Sequence, residues 1–267
     1  MNKAEEALRE LQEMDDLAAL DSPLHRLHPL CKLITAVFYI AVTVSFPKYQ
    51  LSALAVMVLF PLIGYQAAGI PVSLCFKKLK LILPLVCAVG ILNPFLDRQA
   101  VMRFGSFVLT SGMISMLTLM IKGILCLMAS FLLVAVTPVE GLCMALRMLH
   151  VPKILTTLFL LTFRYISVLL DEVAVMSDAY HLRAPKQKGI HISAWGSFLG
   201  QLLLRTMDRA EALYDSMLLR GYHGEFHYAD IQTRTAPSVC FCLISCLLML
   251  CARRFDIAAM LGGLFVR

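Results

Sequence analysis

The chain has 267 residues and a formal net charge of +6; 59% of its residues are hydrophobic, 16% are charged, and the mean hydropathy is +0.77. Soluble domains usually carry about 25% charged residues, so this composition indicates an integral membrane protein. Nucleic acid is excluded as a partner, because binding it would require a basic patch on an ordered polar face, and the sequence has none.

Residues 1–21 form an acidic N-terminal segment with seven carboxylates and two bases, Lys3 and Arg9. A cleavable signal peptide would instead begin with basic residues followed by an apolar stretch. The segment is therefore predicted to be a cytoplasmic tail.

Residues 22–136 are predicted to hold four membrane helices, because this region has nine bases, a single acid and apolar stretches near the length of about 20 residues that a span requires. Lys122 interrupts the fourth stretch. It is expected to face a protein neighbour or to reach the interface, since an unpaired charge in mid-bilayer is costly. The candidate spans are 32–46, 51–70, 79–96 and 107–136, then 237–252 and a partial sixth segment at 257–266.

Basic residues predict the orientation of these spans. Arg26 and Lys32 precede or begin the first span, and three lysines follow the second at 77–80. Because lysine and arginine in short loops favour the cytoplasmic side, the N-terminus is predicted to be cytoplasmic. The fourth span then returns the chain to the cytoplasm near Thr137.

The charge pattern changes after Thr137, because residues 137–236 mix ten bases with nine acids. This mixture is typical of a solvated surface and predicts three or four helices outside the bilayer. Thr137 is predicted to be the N-cap of the first of them, with Pro138 at the first helical position and Glu140 completing a capping box. This helix is expected to run to about Leu149.

The second helix of this region is predicted to begin at Val151-Pro152 and to end at Arg183, before Ala184-Pro185. It is apolar but interrupted by charges, of which Arg164 and Asp171 are seven residues apart and share one face. The pattern indicates a half-immersed helix at the membrane surface.

Residues 196–224 are predicted to form an amphipathic helix that ends at Arg220-Gly221. Such a helix lies on a surface or packs against a partner and does not cross a bilayer. One arc contains Leu199, Leu203, Met207, Ala210, Leu213, Tyr214, Met217 and Leu218, and the other contains Arg205, Asp208, Arg209, Glu211, Asp215 and Arg220.

The sequence lacks the motifs of common active sites: it has no phosphate-binding loop, no dinucleotide fingerprint and no HExxH. His223 and His227 are four residues apart, but they follow the helix-breaking Gly221 and flank Gly224, so solvated loop histidines are favoured over a metal site. The nine cysteines lie mostly in apolar runs without paired spacing, which favours packing over disulfides or metal binding. We therefore predict no catalytic residue, no cofactor and no metal site. The alternative, a membrane-embedded enzyme, would use His181, His191, His223 or His227.

Two predicted helices end in arginine, at Arg183 and at Arg220. Cations at helix C-termini complement the macrodipole and contribute about 0.3–1 kcal/mol each. The same arginines could instead dock in acidic grooves of a soluble partner, where a guanidinium is hard to replace. Periodicity alone does not choose between the two interpretations.

Four segments of the chain resemble the transmembrane (T) component of energy-coupling factor transporters, and within that group the CbiQ family of cobalt transporters. The first is the sequence SPLHRLHP-x-x-K, which ends at Lys32. The second is VSFPKY at 44–49, and the third is ILNPF at 91–95. The fourth and most specific is WGSxxGQLLLRTxDRAxxxYxxMLxRGxxGE, which begins at Trp195.

This resemblance implies an all-α integral membrane protein with five to six transmembrane helices and a helical cytoplasmic coupling domain. Its expected parts are the tail at 1–21, four membrane helices at 22–136, the coupling helices at 137–236 and a last membrane segment at 237–267. The expected partners are two ATP-binding cassette ATPases, a substrate-binding membrane subunit (the S component) and the lipid bilayer of a prokaryotic cell membrane. Cobalt is the expected cargo, with nickel or a vitamin as the alternative.

The resemblance also implies the coupling residues. The two ATPase-docking motifs are expected at Leu182, Arg183 and Ala184 and at Leu219, Arg220 and Gly221. The second keeps the family's usual glycine, whereas the first has Ala184-Pro185 where many members have glycine or serine. Arg205, Asp208, Arg209 and Glu211 are expected to support the coupling helix.

Overall fold

A computed structural model describes residues 3–47, 51–80, 84, 88, 100–104, 107–185, 187, 189–224 and 235–254. Helices dominate these residues, and one short hairpin accompanies them. The helices are α1 Lys3–Ala18, α2 Pro29–Ser45, α3 Leu51–Met57, α4 Leu59–Ala68, α5 Val72–Leu79, α6 Ser111–Val136, α7 Val139–Met148, α8 Lys153–Arg183, α9 Ile192–Leu219 and α10 Thr235–Arg254; the strands are β1 Ala100–Phe104 and β2 Phe107–Thr110.

The chain divides into two compact units. The arm unit comprises Met1–Asp16 and Val139–Ile231, and the apolar unit comprises Leu17–Pro138 and Gln232–Arg267. Which of the predicted regions lie in the membrane and which in the cytoplasm stays a prediction.

Three helices of the described ranges are long and apolar enough to cross a membrane: Gly112–Val136, Lys153–Arg183 and Ala236–Arg254. Two shorter apolar helices, Pro29–Ser45 and Leu54–Ala68, accompany them. The predicted all-helical membrane fold is thereby confirmed. The predicted span at 79–96 and the tail at 257–266 fall almost entirely outside the described residues, so the count of five to six spans stays a prediction.

Buried tyrosines hold the short helices of the apolar unit together. The hydroxyl of Tyr39 donates to the carbonyl oxygen of Met57 at 2.9 Å, where the predicted span 51–70 breaks into α3 and α4. The hydroxyl of Tyr65 donates to Met128 O at 2.9 Å. The first bond pairs a carbonyl at the end of α3 whose i+4 residue is Pro61, which has no N–H to donate, and the second ties α4 to α6. The first cluster contains Tyr39, Val42, Phe46, Leu54, Met57, Leu125, Ala129, Met249 and Ala252, and the second contains Tyr65, Ala68, Ile70, Cys75, Met128, Leu132, Ala135 and Val136.

The predicted span 107–136 differs from the structure at its start. Its first four residues form β2, which pairs antiparallel with β1, so the helix α6 begins at Ser111. Lys122 does not interrupt α6. Its ammonium donates to the carbonyl oxygens of Val44 and Phe46 at the end of α2, so this lysine faces protein.

The predicted N-cap at Thr137 was wrong. Helix α7 begins at Val139, and the hydroxyl oxygen of Thr137 is buried without a hydrogen-bond partner among the described residues. The preceding helix explains the difference, because α6 continues to Val136 and leaves a two-residue connection. Thr137 serves as that connection and does not cap a helix.

The loop before α2 is held by its own side chains. The imidazole Nε2 of His25 donates to Leu17 O at 3.0 Å, which leaves Nδ1 to accept from the hydroxyl of Ser22 at 2.6 Å. Burial lowers the pKa of His25, against a smaller opposing effect of the Leu17 hydrogen bond. In the same loop, the hydrogen bond from Arg26 lowers the pKa of Asp21.

Helices α7 and α8 form a helical hairpin in the arm unit. The turn between them places His150 at φ 64°, in the left-handed region. The amide of Val151 donates to Leu146 O at 3.2 Å and that of His150 to Arg147 O at 3.1 Å, which is the Schellman pattern that normally uses glycine.

Candidate coupling site

Helix α9 is the predicted amphipathic helix, and it begins four residues earlier than expected. His191 caps its start, because the imidazole Nδ1 accepts from the amide of Ser193 at 3.3 Å. Asparagine, aspartate and serine are the usual residues at this position, so the sequence signal at His191 was not recognised. The cap extends α9 to 28 residues, Ile192–Leu219.

The Arg220 end of α9 is a Schellman turn. The amide of Tyr222 donates to Met217 O at 3.0 Å, and the amide of Gly221 donates to Leu218 O at 2.9 Å. Gly221 has φ 80°, which glycine adopts without a steric penalty. The turn ends the helix sharply and leaves Leu219 and Arg220 on its last turn.

The Arg183 end of α8 is closed differently. No glycine is present; the amide of Ala184 donates to Tyr180 O at 2.9 Å. The hydroxyl of Tyr180 donates to Gln187 Oε1 at 2.7 Å and accepts from the amide of His191 at 3.3 Å. Tyr180 thus joins the end of α8 to the start of α9, a role that sequence reasoning missed.

Both helix ends present the same pair of side chains to solvent. Leu182 is 83% exposed and Leu219 is 90% exposed, although leucine is normally buried. Arg183 and Arg220 are also exposed, and neither guanidinium has a hydrogen bond or ion pair within the described part of the chain. Each end therefore offers an exposed leucine beside a cation that has no partner among the described residues.

The role of the predicted support residues stays a prediction, and the structure shows where they lie. Arg205 pairs with Glu172 of α8, which the sequence analysis had not selected. Asp208 and Arg209 line the same surface hollow as this ion pair, and Glu211 lies outside it; all three side chains are exposed. The Arg205–Glu172 pair is thus the polar contact that joins the two long helices near their middle.

The apolar arc of α9 is largely uncovered, and α9 has no buried residue. Leu213 and Met217 are half-buried and line a groove against α8 with Leu161, Tyr165 and Leu169. The remaining large side chains of the arc are exposed to 48–61%: Leu199, Leu203, Met207, Tyr214 and Leu218.

The alternative enzyme residues do not assemble into a site. Across the ranges that the structure describes, no three His, Cys, Asp or Glu side chains come together as metal ligands would. His181 lies in the last turn of α8, His191 caps α9 and His223 is exposed; His227 falls outside these ranges.

These features define a multi-pass helical membrane protein whose arm unit ends two long helices in exposed Leu-Arg pairs. Residues 21–228 match the family model described as "CbiQ: Cobalt transport protein". The chain therefore belongs to the CbiQ family, the transmembrane T components of energy-coupling factor transporters, which are non-catalytic.

Three curated proteins are similar to the chain. It is 25% identical to the energy-coupling factor transporter transmembrane protein EcfT of Limosilactobacillus fermentum, over 84% of this chain and 90% of that protein. It is 30% identical to the cobalt transport protein CbiQ of Rhodobacter capsulatus, over 40% of this chain and 44% of that protein. An uncharacterised protein of Methanocaldococcus jannaschii is 27% identical over 54% of this chain and 50% of its own length. The matches thus span about half of the latter two relatives.

Proposed function

We propose that this chain couples two ATP-binding cassette ATPases to a substrate-binding S component in the cell membrane of a prokaryote. The observation that carries this proposal is the pair of exposed Leu-Arg helix ends at Arg183 and Arg220, whose guanidinium groups have no partner in the described ranges. Two similar docking ends are what a pair of similar ATPase subunits requires. Membership of a family of T components supports the same role.

Each docking end combines two kinds of contact. A guanidinium presents several donors in a fixed plane, which suits a carboxylate-lined groove, and the leucine beside it adds apolar area to the interface. When ATP binding closes the ATPases, their grooves move, and the arginines transmit that movement into α8 and α9. Ala184 and Gly221 end the helices at the contact.

The S component is proposed to contact the exposed arc of α9. Single exposed apolar residues are normal on protein surfaces, but contiguous patches mark interaction sites. Leu199, Leu203 and Met207 follow one another at intervals of four residues on one face. Tilting this face beneath the S component would reorient that subunit in the membrane.

The orientation follows from charge. We place the tail 1–21 and the coupling helices 137–236 on the cytoplasmic side, and 22–136 and 237–267 in or beside the bilayer. α8 is long and apolar enough to span a membrane, but Arg164, Asp171, Glu172 and Asp178 interrupt it, so we place it half-immersed at the membrane surface. Short-loop basic residues near Arg26 and at 77–80 support this arrangement. Protease accessibility of an N-terminal epitope in inside-out and right-side-out vesicles tests it directly.

Cobalt is the proposed cargo of the assembly. The name of the matching family and of the Rhodobacter relative supports it, as does the VSFPKY loop at 44–49. The EcfT relative, which aligns over most of the chain, carries no substrate in its name. Nickel or a vitamin therefore remains the second candidate. Uptake of labelled Co²⁺, Ni²⁺ and vitamins by the complex encoded with its neighbouring genes decides between them.

The docking proposal is tested with Arg183→Ala, Arg220→Ala and the double variant. We expect each single variant to lower uptake and the double variant to abolish both uptake and ATPase co-purification, because each arginine is one of two similar anchors. Arg164→Ala, in the middle of α8, is the matched control and should leave both unchanged. Unchanged ATPase co-purification and unchanged uptake in the double variant would contradict the proposal.

A further inference from the structure

Two lysines of the apolar unit bind helix ends and not carboxylates. Lys32 of α2 donates to the carbonyl oxygen of Val136, the last residue of α6, at 3.0 Å. Lys122 of α6 donates to Val44 O at 3.1 Å and to Phe46 O, in the last turn and at the C-cap of α2. We call these contacts the lysine clamp. Each helix thus contributes the lysine that pairs the final carbonyls of the other.

The clamp fixes the register of the two helices at two distant points. Fourteen residues separate Lys32 from Phe46 along α2, and fourteen separate Lys122 from Val136 along α6. At 1.5 Å per residue each interval is about 21 Å. The equal intervals and the opposite chain directions show that α2 and α6 run antiparallel and are tied at both ends of α2.

The chemistry explains why lysines occupy these positions. The last four carbonyls of a helix lack intrahelical donors, and hydrocarbon offers no water to replace them. An ammonium supplies several donors and is favoured by the negative end of the helix dipole. Neither α2 nor α6 contains an acidic residue that would compete for it. Lys32 is 7% exposed, so its side chain is held within the protein.

The Lys32 end of the clamp is also the end of the apolar unit. Val136 precedes Pro138, at which this unit ends and after which the arm unit resumes at Val139. Lys32 makes a second hydrogen bond at 2.9 Å, to the carbonyl oxygen of His25, so it also holds the loop before α2. One ammonium therefore joins the start of α2, the loop before it and the exit of α6.

We propose that the lysine clamp locks α2 and α6 into one rigid strut and that Lys32 and Lys122 are positioning residues for energy coupling. The strut holds Val136 in place, so that movement of the arm unit is not lost in rearrangement of the membrane helices. This inference rests on the proposed coupling function. It concerns α2 and α6, which are proposed to stay fixed during transport, whereas the docking arginines belong to the arm unit, which is proposed to move.

The first test measures the strut directly in the complete complex. Spin labels are introduced at Val37 of α2 and Val134 of α6, which are exposed to 57% and 50%, through unnatural side chains that leave the native cysteines unlabelled. Between the nucleotide-free and ATP-bound states, we expect one distance that changes by less than about 2 Å, the size of an ordinary helix shift. In Lys32→Met the distribution should broaden. A wild-type distance that moves further on ATP binding would overturn the strut.

The second test measures coupling in proteoliposomes, as Co²⁺ transported per ATP hydrolysed. Lys32→Met and Lys122→Met should lower this ratio about 2- to 30-fold, the range expected for a residue that transmits coupling, and Lys122→Arg should restore part of it. The controls are Thr35→Val and Thr118→Val, whose hydroxyls donate to the carbonyls of Cys31 and Ile114 in their own helices. An unchanged ratio in both lysine variants contradicts the proposal.

The Arg183→Ala/Arg220→Ala double variant separates the two ideas in the same assay. If this variant loses uptake while both lysine variants keep the wild-type ratio, the strut is wrong and the coupling function stands. If the double variant also keeps full uptake, the coupling function itself fails. The spin-label distance in the wild type needs no lysine variant, so it remains decisive where a variant does not fold.

Discussion

Helices α6 and α9 are of similar length, 26 and 28 residues, but they differ in how much of their surface is buried. α6 supplies buried side chains to both clusters of the apolar unit, among them Leu125, Met128 and Ala135. α9 buries none of its residues, although leucines and methionines follow one another along one face. α6 is thus packed into the apolar unit along part of its surface, whereas the apolar face of α9 is largely uncovered by the described residues.

The polar groups show the same contrast. Lys122 in α6 finds two carbonyl acceptors, whereas Arg220 at the end of α9 has no partner in the described residues. A cation inside a membrane protein must be paired at once, because its desolvation is costly. A cation at a solvated helix end is hydrated, so it needs no protein partner until a second protein binds. Charge placement therefore separates the static part of the molecule from the proposed coupling part.

The largest expected effect compares Leu54→Ala with Leu203→Ala. Leu54 is fully buried, so its truncation leaves a cavity; we expect the free energy of unfolding in detergent to fall by about 2 kcal/mol or more. Leu203 is 61% exposed, and its truncation should cost less than about 0.5 kcal/mol in the isolated chain. In the complex, Leu203→Ala should weaken retention of the S component. Equal destabilisation of the isolated chain by the two variants would break the comparison.

The second comparison uses two glycines. A Cβ atom at Gly64 of α4 would lie 2.5 Å from Leu132 Cδ2. Leu132 is buried in a packed cluster and must change rotamer, so Gly64→Ala should destabilise the apolar unit by about 1 kcal/mol. At Gly200 of α9 the same atom would meet open space, so Gly200→Ala should raise helix stability by about 0.5–1 kcal/mol. Thermal unfolding of both variants measures the sign; shifts in the same direction would contradict the packing argument.

A smaller effect is expected at the hairpin turn of the arm unit. His150 lies in the left-handed region at φ 64°, where a Cβ atom is disfavoured. His150→Gly should therefore raise the free energy of unfolding by up to about 1 kcal/mol. Met148→Gly, within α7, is the control and should lower it by a similar amount. Protection of the α7 amides against hydrogen exchange reports both changes.

The smallest expected effect is a pH dependence of the loop before α2. The pKa of His25 is lowered by burial in the folded protein, below the value of about 6.5 expected in the released loop. The loop is therefore most stable above about pH 6.5 and loses stability as pH falls through the lowered pKa, because the released form binds the extra proton. The protection factors of the amides of Leu17 and residues 21–28, taken relative to the intrinsic exchange rate at each pH, should fall on acidification. His25→Gln should remove that dependence; if the protection factors still fall in this variant, another group is responsible.

Local patterns were enough to predict the long helices. The apolar arc of α9 and its end at Arg220 follow from residues within a few turns of each other, and Gly221 supplies the left-handed turn directly. The docking of ATPases at the helix ends that carry Leu182 and Leu219 stays a prediction. Its exposure nevertheless shows that both leucines are available for contact.

Local patterns misled where two elements competed for the same residues. Thr137, Pro138 and Glu140 have the spacing of a capping box, but α6 continues to Val136 and Thr137 is buried in the connection. The start of the predicted span at 107 failed for a similar reason, since β2 pairs with β1 before the helix begins. In both cases a neighbouring element of the fold overrode a local preference.

The sequence by itself determined that this is a helical membrane protein with an amphipathic helix ending in Arg220-Gly221, because hydropathy and helix termination depend on residues close together in the chain. Only the tertiary structure decided that Lys32 reaches Val136, 104 residues away, and that Lys122 reaches Val44 and Phe46, 78 and 76 residues away. It also decided which apolar faces are covered. Packing brings distant carbonyls within hydrogen-bond reach of a lysine, and the periodicity of the sequence does not show which carbonyls these are.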